Sequence, residues 1–304
     1  MPGTELLAVV ERDGFAESEH RGVAVLVDPH GCVIEAHGHI HRPFLARSAL
    51  KPLFAAALID AGLIDLEPSH AALASASHWA EPRHLATAEA MAAAHRVEEH
   101  SLRCPPRQAP DGERRRFAHM CVGKHIAFAA AARAMGASGE YWEHGHPLTR
   151  VLQDGIEVAS GESSDGSARD GCGTLVFATT PVGLARAFRR LATDATAYRQ
   201  VGDAMRTHPT LIDGTGRPDA VVIAETGCVT KFGAEGTQAM VAPDGTTAVV
   251  KSADGARRPG APVALALLER AGAVPRGTLD RLAEPLGLVQ RSADEPVGLL
   301  RPVL

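Results

Sequence analysis

The chain has 304 residues, 45% of them hydrophobic and 22% charged, with a formal net charge of −5. That length is ample to bury a core, as one large domain or two intertwined ones. No apolar run reaches the roughly 20 residues of a membrane helix, and the acidic balance excludes a nucleic-acid binder that works through a basic face.

The first segment reads as strands, at residues 6–10, 22–28 and 32–36, the last two flanking a turn at Pro29-His30-Gly31. From Ala49 to about Thr207 the chain is rich in alanine, leucine and arginine, and its periodicity predicts helices at 50–61, 84–95, 123–135, 147–157, 183–192 and 195–206. Residues 105–116 and 157–173 read as loops, the second long, glycine-rich and a candidate for function. Strand patterns return at 220–224, 239–242 and 246–251, and helices follow at 260–272 and 277–285. Strands at both ends with helices between them predict an α+β (α/β) fold: a sheet domain from 1–47 and 208–304, and a mainly helical domain from 48–207. A site would lie in the cleft where they meet. The N-terminus carries acids and no basic stretch before an apolar run, so no signal peptide is expected and the expected location is cytoplasmic.

Lysine is scarce. Of the 31 basic residues other than histidine, only Lys51, Lys124, Lys231 and Lys251 are lysines. Arginine does not lose its proton in a protein, whereas a buried lysine can. Each lysine is therefore a candidate base or ligand.

Arg47-Ser48-Ala49-Leu50-Lys51-Pro52 stands at the entrance of the helix at 50–61. Three-residue spacing places Ser48 and Lys51 on one face, and Pro52 fits only in a first helical turn. A neutral lysine there would activate the serine as a nucleophile; in the alternative reading Ser48 caps the helix and Lys51 is solvated. Ser75-Ala76-Ser77-His78-Trp79 precedes Glu81 and His84, either of which would orient Ser77, or the whole is a polar helix entry. Cys121-Val122-Gly123-Lys124-His125 opens a helix, and Asp170-Gly171-Cys172-Gly173 lies in the glycine-rich loop. The five cysteines are an odd, scattered set that reads as free thiols or metal ligands. Lys251 ends a strand pattern, from which it would reach a serine across a cleft.

Taken in order, these motifs, with Glu17-Ser18-Glu19-His20-Arg21-Gly22, Gly233-Ala234-Glu235-Gly236 and Asp254-Gly255, resemble the rhizobial-type (class 3) L-asparaginases, or asparaginase II family, over most of the chain. The resemblance implies a fold similar to serine β-lactamases and glutaminases, a homodimer, and hydrolysis of L-asparagine to aspartate and ammonia. It implies two Ser–Lys pairs, Ser48 with Lys51 and Ser77 with Lys251. It also implies a zinc site at Cys121, Lys124 and Cys172, and substrate-holding roles for Arg47, His125 and Asp170. Trp79 stands where the family has a small residue, and its ring would narrow the pocket if it faced Ser77. Two other readings stay open: a glutaminase or another Ser–Lys acyl-transfer hydrolase, and a catalytically silent homologue that binds zinc or an amino acid.

Overall fold

The computed structural model of the chain describes residues 3–137 and 140–304. The chain opens with β1 (Glu5–Arg12), β2 (Phe15–Val27), β3 (Val33–His37) and the short β4 (Phe44–Leu45). A 3-10 turn over Arg47–Leu50 leads into α1 (Lys51–Asp60), then α2 (Pro68–Ser75) and α3 (Pro82–Ala94). A small hairpin, β5 (Arg107–Gln108) and β6 (Arg114–Arg115), precedes α4 (Val122–Ala134) and α5 (Pro147–Ser160). Next come β7 (Ser167–Arg169), β8 (Leu175–Thr179), α6 (Pro181–Thr193), α7 (Ala197–Thr207), α8 (Pro209–Ile212) and α9 (Pro218–Thr226). The chain ends with β9 (Val229–Gly233), β10 (Thr237–Val241), β11 (Thr247–Ser252), α10 (Gly260–Arg270), α11 (Thr278–Arg281), β12 (Val289–Ser292) and β13 (Glu295–Pro302).

Both ends of the chain build one antiparallel sheet in the order β12-β13-β1-β2-β11-β10-β9, with β3 paired to the second half of β2. Side chains alternate faces along a strand, and the sheet separates two cores accordingly. Val25, Val27, Ala239, Val241 and Val249 face a large core shared with the helices, where Phe54 meets Phe128 and Phe177 edge-on at 5.7 and 6.1 Å. Ala24, Leu26, Met240, Ala248 and Val250 face a smaller core capped by Val263 and Leu267 of α10. Two lysines inherit their direction from this alternation. Lys251 shares its face of β11 with Val249, and Lys231 of β9 pairs with Ala239 of β10. Cross-strand partners lie on the same face, so both lysines point to the helical side.

The α+β class, with an antiparallel sheet from both termini and helices between, is the one the sequence implies. Several elements differ from expectation. Residues 220–224, read as a strand, lie inside α9. Pro218 enters its first turn, Asp219 sits at the positive end of the helix, and Gly227 closes it in the left-handed conformation at φ 69°. Those end signals outweigh the β-branched run between them. The helix expected over 277–285 is only the single turn Thr278–Arg281. The strands β9, β12 and β13 and the alanine-rich helix α2 were not expected. The long loop at 157–173 is shorter than read, because α5 continues to Ser160 and β7 occupies Ser167–Arg169.

Candidate active site

Ser48 sits in the 3-10 turn between β4 and α1. Arg47, just before it, has φ 54°, a left-handed conformation that a residue with a side chain adopts at a cost. Its guanidinium holds the bend: Nε and Nη2 donate to Asp170 Oδ1 at 2.8 and 2.7 Å. The 3-10 turn and α1 both start without a side-chain cap. Ser48 is therefore not a helix cap, and its half-buried hydroxyl is free of hydrogen-bond partners among the described residues. Strand β9 runs directly past this turn. A Cβ on Gly233 would lie 2.3 Å from the Ala46 carbonyl oxygen, so only glycine permits the approach.

Lys51, the first residue of α1, is 1% exposed. Its Nζ donates to Ser77 Oγ at 3.0 Å and to the Ala76 carbonyl, and lies 3.5 Å from the Met120 carbonyl. Ser77 follows the end of α2 and is equally buried, its own N–H donating to the Ile212 carbonyl at 2.9 Å. The serine in contact with Lys51 is thus Ser77, which the sequence assigned to Lys251.

The second amine at this centre is Lys231, which lysine scarcity marks in the sequence as a candidate base or ligand. Lys231 of β9 is fully buried. Burial pushes its pKa down to about 7, the Lys51 charge adds to that fall, and the Asp219 carboxylate, 3.9 Å from its Nζ, opposes it. The displacement from the ordinary value of 10.5 corresponds to about 5 kcal/mol. Lys231 Nζ donates to the Phe232 carbonyl at 2.8 Å and lies 3.8 Å from the centre of the Phe232 ring. Asp219 is itself pinned by the Phe232 N–H at 2.8 Å and Gln238 Nε2 at 2.9 Å. A buried amine beside a second cation is the arrangement that yields a neutral lysine near pH 7.

Lys251, by contrast, donates to the carbonyls of Glu235 and Ser252 at 2.6 and 2.5 Å. It lines a cavity of about 370 Å³ with Val23, Phe44, Arg47, Glu235 and Asp254. Its pairing with Ser77 is not made, and the lysine next to Lys51 is Lys231.

Cys121, Lys124 and Cys172 lie together. Lys124 Nζ donates to Cys172 Sγ at 3.1 Å and Thr174 Oγ1 at 2.6 Å and lies 3.9 Å from Asp170 Oδ2. The Cys121 thiol against it, outweighing burial, together with Lys124 and His125, drives Cys172 far toward thiolate. Cys121 is held up as a thiol by the same contact and by burial. Burial alone would lower the Lys124 pKa, but Cys172, Cys121 and Asp170 together raise it. Among the described residues no three His, Cys, Asp or Glu side chains are placed to hold a metal ion. The two sulfurs are ligands of the kind zinc takes, and the Lys124 amine would be a third only after losing its proton. The close fit of α4 against α2 fixes this cluster relative to Ser77, since a Cβ on Gly123 would lie 2.2 Å from the Leu73 carbonyl oxygen. His125 is buried with Nδ1 2.8 Å from the Tyr141 hydroxyl, and burial, opposed by the Cys172 thiolate, lowers its pKa.

The remaining candidates serve the frame. Glu81 and His84 close a reciprocal cap on α3, and Glu81 also accepts from the Thr215 N–H and hydroxyl at 2.8 Å, so neither orients Ser77. Trp79 is 51% exposed, donates to Asp213 Oδ1 at 3.3 Å and lies under Arg217, so its ring faces outward and does not narrow a pocket at Ser77.

Ser77, Lys51 and Lys231 are thus buried together, Lys231 with a near-neutral pKa, while Ser48 is half-buried at the entrance of α1. The chain matches the L-asparaginase II family over residues 8–302 and belongs to it, which makes it an amidohydrolase. No match emerged among curated proteins. Among solved structures it is similar to a β-lactamase from Sphaerobacter thermophilus (16% identity, 84% of this chain and 92% of that one, TM-score 0.46). It is also similar to a β-lactamase from Mycobacterium bovis (15%, 82% and 94%, TM-score 0.43) and to the native form of Mglu (15%, 90% and 66%, TM-score 0.47).

Proposed function

We propose that this amidohydrolase cleaves the side-chain amide of L-asparagine through an acyl-enzyme on Ser48. The observation that carries the mechanism is the Lys51–Ser77 hydrogen bond beside the buried amine of Lys231. Ser48 is the more accessible of the two serines and lies one turn from Lys51, at the mouth of α1. Its Oγ forms the new C–O bond to the amide carbon while its proton passes to the Lys51–Ser77–Lys231 relay. The relay returns a proton to the departing nitrogen, which leaves as ammonia. Water then attacks the ester, gives its proton to the relay, and Ser48 recovers its own as aspartate departs. Arg47, with Asp170 behind it, would meet the substrate carboxylate, and His125 would shape the amino-acid end. A second reading exchanges the serines, favoured by the direct contact of Ser77 with Lys51.

Cys121, Lys124 and Cys172 would hold zinc, with Lys124 and Cys121 losing protons on binding. The metal would supply a fixed positive charge near the amino-acid end of the substrate. Family membership supports asparagine as substrate and a homodimer as the working form. No helix among the described residues is long and apolar enough to cross a membrane.

The test is ammonia release from L-asparagine and L-glutamine by purified protein, with Ser48→Ala alongside and before and after zinc chelation. The expected result is asparagine-selective release that Ser48→Ala abolishes. Near-normal release by Ser48→Ala sinks the serine assignment, and preference for glutamine sinks the substrate.

A further inference from the structure

A cavity of about 210 Å³ is lined by Arg217, Arg257 and Arg258 together with Gln238, Pro262 and Leu286. Among the described residues lining it none is acidic, although the chain carries a net −5. The way each arginine is held decides how much charge it offers. Arg217 lies with its guanidinium carbon 4.2 Å from the centre of the Trp79 ring, a contact that orients the group without neutralising it. Arg258 donates to the uncharged side-chain oxygen of Gln290 at 2.8 Å. Among the described residues neither forms an ion pair. Arg257 is the anchored member. Its Nη2 donates to Asp213 Oδ2 at 2.6 Å, and it stacks 3.6 Å from the Phe232 ring centre. Asp213 offsets much of the Arg257 charge, so the uncompensated charge in the cavity comes from Arg217 and Arg258.

We infer that this three-arginine cavity is a binding site for a phosphate group, separate from the Ser–Lys centre. Guanidinium groups from two segments, Arg217 before α9 and the adjacent Arg257 and Arg258 before α10, line one cavity and suit a tetrahedral dianion that accepts hydrogen bonds in several directions. The volume falls below that of pockets for drug-sized ligands, which selects a compact anion or the phosphate end of a small monoester. Two of the three cations are oriented by neutral partners, so binding requires little rearrangement of side chains. Arg257 connects the cavity to the active centre, since Asp213 also accepts from Trp79 and Asp219, 4.0 Å from Arg257, faces Lys231.

The experiment is isothermal titration calorimetry of the full chain with inorganic phosphate and with glycerol 3-phosphate, at constant ionic strength set by sodium chloride. Arg217→Gln and Arg258→Gln are titrated beside the wild type. Both positions are exposed, and unchanged unliganded melting temperatures would show that the variants fold. Saturable binding is expected, weakened at least about tenfold by each variant, the loss of one charge-assisted contact. A tighter fit for glycerol 3-phosphate identifies a phosphomonoester site, and equal affinities identify a site for free phosphate. Absence of saturable heat with both ligands, or binding that both variants leave intact, overturns the inference.

Discussion

Asp219→Asn isolates the electrostatics of Lys231. The Asp219 carboxylate lies 3.9 Å from Lys231 Nζ, and two unit charges at that distance interact by about 4 kcal/mol at an effective dielectric constant of about 20. Burial and the Lys51 charge pull the Lys231 pKa down, and Asp219 pulls it up to the resulting value of about 7. Removing the negative charge therefore lowers the Lys231 pKa further, by at most about 3 pH units at that dielectric constant. If the neutral amine is the active form, kcat/KM of the wild type rises through a limb near pH 7, and in Asp219→Asn the limb moves to lower pH by up to that amount. The assay is kcat/KM for ammonia release from L-asparagine across pH, with circular dichroism at each pH to show that the variant is folded. A loss of about 1–3 kcal/mol in stability is expected as well, because the N–H groups of Phe232 and Gln238 lose an ionised acceptor. A limb that stays in place or moves to higher pH refutes the assignment of Lys231 as the titrating base.

Lys231→Arg keeps the charge and removes the capacity to lose it, so kcat should fall at least about 100-fold while the far-UV spectrum is unchanged. Gly233→Ala should lower stability by about 1–3 kcal/mol in urea unfolding and lower kcat as well, since the added methyl would meet the Ala46 carbonyl in the turn that carries Ser48. Asp170→Asn removes the ionic partner of Arg47, which is 24% exposed, so a stability loss near the lower end of about 3–5 kcal/mol is expected. In the same variant KM for asparagine should rise more than kcat falls, as steady-state kinetics would show.

The parts of the centre that were legible in the sequence share one property: local spacing fixes them. Ser48 and Lys51 both stand at the entrance of α1, ahead of Pro52, and Cys121 and Lys124 share the entrance of α4, so a motif places each residue along the chain, whereas the hydroxyl that Lys51 contacts is that of Ser77. The partner across the cleft depends on strand register, which spacing does not carry. Lys251 ends an obvious strand and was the natural choice, whereas Lys231 sits in a five-residue strand with a charge at its centre. A signal was present in Val229 to Gly233 followed by the turn Ala234-Glu235-Gly236 and a second strand, the outline of a hairpin. The β-branched run at 220–224 competes with it, since a strand there would leave little room for another so soon after. The role of Ser77 as the contact of Lys51 likewise depends on how α2 docks on α1 and α4, a packing outcome of alanine-rich surfaces with no motif of its own. Trp79 shows the converse: its identity suggested an obstruction, and only its contacts with Asp213 and Arg217 reveal that it faces outward.

The most direct test of the central claim is to quench the protein with acid during turnover of L-asparagine and map the covalent adduct by peptide mass spectrometry. An aspartyl ester on Ser48, formed by the wild type and missing from Ser48→Ala, is the result this account predicts. An adduct on Ser77 would exchange the two serines, and ammonia release with no adduct on either serine would contradict the acyl-enzyme mechanism.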